Sequence, residues 1–119
     1  MRNFKELKIW QKGFQIAISS YKITETFPVN ERFGLISQIN RAAVSVPSNI
    51  AEGSSRSSWK EYKHYIQISL GSCFELETQL LITKALNYGN QVILSEVLAQ
   101  VTEEEKMLTA FGNALTRKS

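Results

Sequence analysis

Apolar residues recur at steps of three and four along nearly the whole chain, a spacing that points to helix and leaves little room for strand. In the first segment the stripe is Phe4, Leu7, Trp10, Phe14, Ala17 or Ile18, and Tyr21. Asn3 is a plausible cap. A second apolar set, Ile9, Ile16 and Ile23, recurs every seven residues on another face. A helix apolar on two sides needs two partners. The first stripe is assigned to the bundle core, and Ile9, Ile16 and Ile23 to a contact with a neighbouring subunit.

The breaks between stripes are equally informative. Pro28 biases the residue before it out of helix, which ends the first helix near Thr26. A second begins around Asn30 or Glu31, with Leu35, Ile39, Ala42, Val46 and Ile50 as its apolar stripe and Pro47 inside it. Ser58-Trp59-Lys60-Glu61 reads as a capping box opening the third helix. That helix follows Trp59, Tyr62, Ile66, Ser69, Cys73, Leu76 and Leu80, and Gly89 is expected as its left-handed stop. The fourth starts near Asn90 and leads to a frayed basic tail, Thr116 to Ser119. The expectation is an all-α, antiparallel, up-down-up-down four-helix bundle: one domain, 1–119, with helices at about 3–26, 30–52, 58–87 and 90–116.

Composition narrows the function classes. The chain of 119 residues suits one domain with its own core. All 11 acidic residues are glutamate, and there is one histidine and one cysteine. A zinc or nucleophilic site needs more ligands than His64 and Cys73 supply. Glu61 and His64 have the Glu-x-x-His spacing of di-iron bundles, but a second copy is missing, and Lys60 and Lys63 disfavour a cation. Neither Glu75 with Glu77 nor Glu103 to Glu105 supplies it. No cofactor, metal or enzymatic activity is expected. A lone thiol in an apolar helix pattern fits a reducing compartment. The opening residues lack a signal peptide's apolar run, and no stretch reaches the roughly 20 apolar residues that cross a bilayer. A soluble cytoplasmic protein is expected.

Residues 46–58, VPSNIAEGSSRSS, raise the question of a phosphate-binding loop. Such loops need several glycines after a strand, and this stretch has one glycine, Gly53, and no strand before it. It reads instead as a proline-kinked helix end. Ser48 and Asn49 are the expected donors to carbonyls disturbed by Pro47, Glu52 the acceptor for N–H groups at the next helix, and Gly53 the left-handed turn. Arg41, Ser45, Asn49 and Glu52, with Ser72 and Glu75 on the third helix, form a structural polar network at least half-buried between helices. Gly71, in mid-helix, implies close helix approach.

Charge is uneven. Residues 1–63 hold ten Lys and Arg against five Glu, while 64–119 hold four against six. Lys5, Lys8 and Lys12 share one face of the first helix, and Arg56, Lys60 and Lys63 cluster at the start of the third beside Trp59 and Tyr62. A solvated helix face would look the same, but aromatics among cations also suit single-stranded nucleic acid. These six residues are the candidate phosphate contacts.

The segments Phe27-Pro28, Glu31 to Leu35, Ser37 to Ile39, Arg41 to Gly53 and Gly71 to Glu77 closely resemble the bacterial four-helix bundle family called the intervening-sequence proteins. Those are encoded within insertions in large-subunit ribosomal RNA genes, and accessory proteins of diversity-generating retroelements are relatives. The opening Phe4 to Gly13 also fits, so the likeness spans all but the fourth helix. Asn40 departs from the pattern, where relatives often carry arginine, and lowers positive charge there. The resemblance implies an antiparallel bundle, a ring-like homo-oligomer, specifically a pentamer, and no enzymatic activity. The retroelement relatives bind RNA and a reverse transcriptase. Two roles follow as expectations: nucleic-acid binding through the basic patches, to structured RNA or RNA–DNA, or a scaffold docking a protein such as a reverse transcriptase.

Overall fold

The computed structural model describes residues 3–119, apart from the side chain of Arg32. Four α-helices carry it: α1 (Lys8–Thr24), α2 (Ser37–Ser54), α3 (Trp59–Ala85) and α4 (Gln91–Lys118). No strand occurs among the described residues. Each helix packs on the one before it and α4 returns to α1, so α1 and α3 lie diagonally across the bundle. The result is an elongated four-helix bundle, 46 × 21 × 20 Å.

Local chemistry sets the helix ends. Asn3 caps only a short 3₁₀ turn, Phe4–Glu6, by accepting from the Lys5 N–H; extended backbone at Leu7 then delays α1 to Lys8. Between Pro28 and α2 the chain makes a 3₁₀ turn, Val29–Glu31, and a π turn, Arg32–Ile36, broken by non-helical backbone at Gly34. The second helix therefore starts seven residues after Asn30. The Ser58 Oγ accepts the Glu61 N–H at 3.1 Å and opens α3. At its other end Asn87, at φ 57°, takes the left-handed role expected of Gly89. Tyr88 N–H donates to Thr83 O and Asn87 N–H to Lys84 O, which closes a Schellman motif. Gly89 is also left-handed, at φ 70°, and a Cβ there would sit 2.5 Å from Thr26 Oγ1. The Asn90 N–H donates to that same hydroxyl at 3.0 Å, and the Asn90 side chain caps α4.

The core corrects the assignment of α1's two faces. Ile9, Ile16 and Ile23 are 4%, 0% and 0% exposed and sit in the bundle interior, where they cannot form a contact with another subunit. Phe14, Ile18 and Tyr21 are 49%, 41% and 49% exposed on the outer side. Both faces are apolar, so periodicity cannot choose between them. Small neighbours can: Gly13 and Ser20 lie buried on the isoleucine side and let adjacent helices approach. A Cβ on Gly13 would stand 3.2 Å from Val46 Cγ1 and 3.3 Å from the Pro47 nitrogen.

The outer side of α3 is also apolar, with Ile68, Phe74, Leu81, Ile82 and Leu86 exposed. Gly71 lies among them, and a Cβ there would meet nothing within 4 Å. It does not serve a close helix approach inside the protomer. Gly53 does: a Cβ on it would fall 2.7 Å from the Tyr65 Cβ. Gly53 is helical, within α2, and makes no left-handed turn.

Candidate nucleic-acid interface

An even number of antiparallel helices brings the start of α1, the α2–α3 turn and the end of α4 to one end of the bundle. Taking residues 3–12, 52–64 and 113–119 as that end, eight Lys and Arg stand against three Glu. The other described residues hold five Lys and Arg against eight Glu. The topology thus turns a mild sequence bias into a polar distribution of charge along the bundle axis.

All six predicted phosphate contacts lie at this end, in different states. Lys5, Lys8 and Lys60 are exposed, with no ion-pair partner among the described residues. Lys12 is half-buried and pairs with Glu103 of α4 at 3.3 Å. Arg56 pairs with Glu52 at 3.2 Å, donates to the Tyr65 hydroxyl at 2.8 Å and lies 4.7 Å from that ring's centroid. Lys63 donates to Thr116 Oγ1. Lys5, Lys8 and Lys60 are therefore the cations most available to a ligand, while Lys12, Arg56 and Lys63 already brace neighbouring elements.

Two more cations complete the end. Arg117 and Lys118 lie in the last turn of α4, which remains helical to Lys118 where a frayed tail was expected. Cations there complement the partial negative charge of a helix C-terminus. The Lys118 ammonium stands 5.2 Å from the Trp59 ring centroid. Their signal was in the topology: a fourth antiparallel helix must finish where the first begins. Tyr62 is buried and packs on Phe111 at 5.6 Å, whereas Trp59 sits at the rim. Between them opens a cavity of about 510 Å³ lined by Leu7, Trp59, Tyr62, Phe111 and Lys118, with Asn3 and Glu6 at its edge.

The predicted polar network divides in two. On the α2–α3 seam Arg41 pairs with Glu75 at 3.3 Å and donates to Gln38 at 3.2 Å. The Ser45 and Ser72 hydroxyls share a hydrogen bond of 2.8 Å, and Asn49 Nδ2 donates to the Ser45 carbonyl and hydroxyl, each at 2.8 Å. The Arg41 and Glu75 side chains are 62% and 45% exposed, so Arg41 lies outside the buried or half-buried network expected and Glu75 at its edge. Solvent screens such a pair, worth about 0–1 kcal/mol. Glu52 does not reach the start of α3, because Arg56 one turn on takes its carboxylate. The carbonyl that Pro47 leaves without its helical N–H is Ala43 O. The expected donors go elsewhere: Asn49 Nδ2 serves Ser45 O and Ser48 is exposed, while Ser69 of α3 donates to Val46 O at 2.8 Å.

Glu103 to Glu105 point three ways. Glu103 meets Lys12 outside, Glu104 is fully buried, and Glu105 lies beside Glu77. Among the described residues no three His, Cys, Asp or Glu side chains come together as a metal site. No described helix is long and apolar enough to cross a membrane.

Comparison with known proteins gives this geometry a family. No curated protein matches the sequence. A solved structure from Bacteroides thetaiotaomicron, described as a protein of unknown function from the S23 ribosomal protein family, superposes with a TM-score of 0.79 at 24% identity, covering 87% of this chain and 96% of its own. That likeness establishes the four-helix fold. The sequence profile described as 23S rRNA-intervening sequence protein matches residues 5–110, so it takes in α1 to α3 and most of α4. On that match over most of its length, the chain belongs to the 23S rRNA-intervening sequence protein family.

Proposed function

We propose that the protein is a non-enzymatic homo-oligomer that binds nucleic acid, structured RNA or RNA–DNA, at its basic end. The observation that carries this reading is the gathering of eight Lys and Arg against three Glu at one end of the bundle. Lys5, Lys8, Lys60 and Arg117 make the phosphate contacts. Lys12, Arg56, Lys63 and Lys118 add field from braced positions. Each phosphate neutralised releases counterions, so affinity falls steeply with salt.

Assembly follows from the two bare faces. The bare faces of α1 (Phe14, Ile18, Tyr21) and α3 (Ile68, Phe74, Leu81, Ile82, Leu86) lie on diagonal helices and differ in composition, so one can seat the other on a neighbouring copy. Such a heterologous contact closes into a ring when its rotation allows, and the expected ring is a pentamer. A ring repeats the basic end once per subunit and raises avidity for a polyanion. A reducing cytoplasm suits the buried free thiol of Cys73.

Fluorescence anisotropy with labelled RNA and RNA–DNA duplexes at rising salt tests the binding. The expected result is binding at low salt that weakens steeply, and that is lost when Lys5, Lys8 and Lys60 are changed together to Glu. No binding at low salt refutes it. The bare apolar faces also favour a second reading, a scaffold docking a protein such as a reverse transcriptase. A stoichiometric protein that survives nuclease treatment of a native pulldown would select it.

A further inference from the structure

Glu104 occupies a place where a carboxyl group is hard to explain. It is 0% exposed, and neither side-chain oxygen has a hydrogen-bond partner among the described residues. It faces α1 where Gly13 lets the helices close: a Cβ on Gly13 would lie 3.1 Å from Glu104 Oε2. A carboxylate in such a place is strongly disfavoured, whereas the neutral acid is tolerated.

The charged groups that act on it are one of each sign, and the neutral Cys73 thiol lies near it. From α1 comes Lys12, held outward by Glu103 at 3.3 Å. From α4 itself comes Glu103, and from α3 the Cys73 thiol; Glu105 and Glu77 act on that thiol rather than on Glu104. The α2 residues at the Gly13 contact are Val46 and Pro47, which carry no charge. The α1–α4 seam is also the least extensive of the four between neighbouring helices.

We propose that the α1–α4 seam is a proton-controlled latch, closed while Glu104 is a neutral acid and loosened when it ionises, as its carboxylate draws in water. Burial, opposed by Lys12 and helped by Glu103, pushes the Glu104 carboxyl up to about 8, so opening grows more favourable as pH rises from the ordinary carboxyl value towards 8. Burial and then Glu77 raise Glu105 to about 7, in the same range. Opening would displace α1, and with it Lys5, Lys8, Lys12 and the outer aromatic face. The latch belongs to the protomer and operates whether or not nucleic acid binds.

Cys73 is a built-in reporter, because the chain's one thiol is 0% exposed and can react only when the core opens. Labelling by a disulfide-exchange reagent would be followed from pH 5 to 9 in the full chain and in Glu104→Gln. The ratio of the two rates cancels the reagent's own pH dependence. With one proton lost per opening, that ratio should rise ~tenfold per pH unit up to about pH 8 and then level. A ratio that stays constant overturns the latch. Amide exchange, taken as protection relative to the intrinsic base-catalysed rate, separates a seam from global unfolding: α1 and α4 should lose protection as pH rises while the α2 core around Ile39 and Val46 keeps it. An equal loss of protection in all four helices would also overturn it. If Glu104→Gln does not fold, Glu104→Leu serves as the uncharged reference.

Discussion

The two sides of α1 are both apolar, yet one is sealed and the other bare. Inside, Ile9, Ile16 and Ile23 lie flush with the core beside Gly13, Ser20 and the buried Glu104. Outside, Phe14 lies 5.3 Å, tilted, from Trp10, which itself turns partly against the core, Phe4 meets Trp10 edge-on at 5.2 Å, and Tyr21 lines a groove with Ile36 and Asn40 further along. The inner side is compact because its residues are β-branched or small; the outer is bulky and wet. The difference teaches that hydrophobicity identifies a helix, while side-chain size decides which of two apolar faces turns inward. On α1 the close approach at Gly13 leaves no room for rings, unlike the end where Tyr62 is buried, and a second copy is proposed to cover them.

The strongest way to break that contrast is to charge the sealed side. Ile16→Asp should cost about 4 kcal/mol, since it leaves an unpaired charge in the core; denaturant unfolding would measure it. A cost under about 1 kcal/mol would place Ile16 at a surface. Next comes pH. An acid raised from the ordinary value of 4.5 to about 8 in the folded state holds its proton longer there than in the unfolded chain. Its stabilising effect is complete below the ordinary value and is lost as pH rises towards 8. Thermal unfolding should therefore show a loss on the order of 3 kcal/mol between pH 5 and 8, largely removed in Glu104→Gln.

Smaller effects sharpen the outer side. Gly71→Ala on the bare face of α3 should stabilise the protomer by about 0.5–1 kcal/mol, because the site has room and alanine is the better helix former. Smallest of all for folding is Phe14→Glu, expected to stay within about 0.5 kcal/mol of the parent chain. The same variant should lose the oligomer in light scattering. An intact oligomer would move the contact off this face.

Much of the architecture was legible because capping and periodicity are local. Ser58 and Asn90 announce α3 and α4 by side-chain oxygens that accept N–H groups within the next turn. Other features depend on what the chain meets later. Leu35 and Ile39 keep helical spacing, so sequence could not see that Gly34 breaks the path just ahead of them. Gly53 looked like a turn and is a notch for Tyr65, a partner 12 positions away. The basic end was half legible: its lysines were visible, but Arg117 and Lys118 joined them only through the fold. Glu104 was hidden among three glutamates in a row, where helical rotation sends each to a different environment.

The even helix count has one more consequence. Asn3 and Ser119 both emerge at the basic end, while residues 27–36, with Val29 and Phe33 exposed, stand at the other. Any extra sequence carried at either terminus, a purification tag included, would hang over the proposed phosphate-binding surface. An insertion between Pro28 and Gly34 would leave that surface clear, which makes the segment the natural handle for tethering the bundle to a surface or a dye.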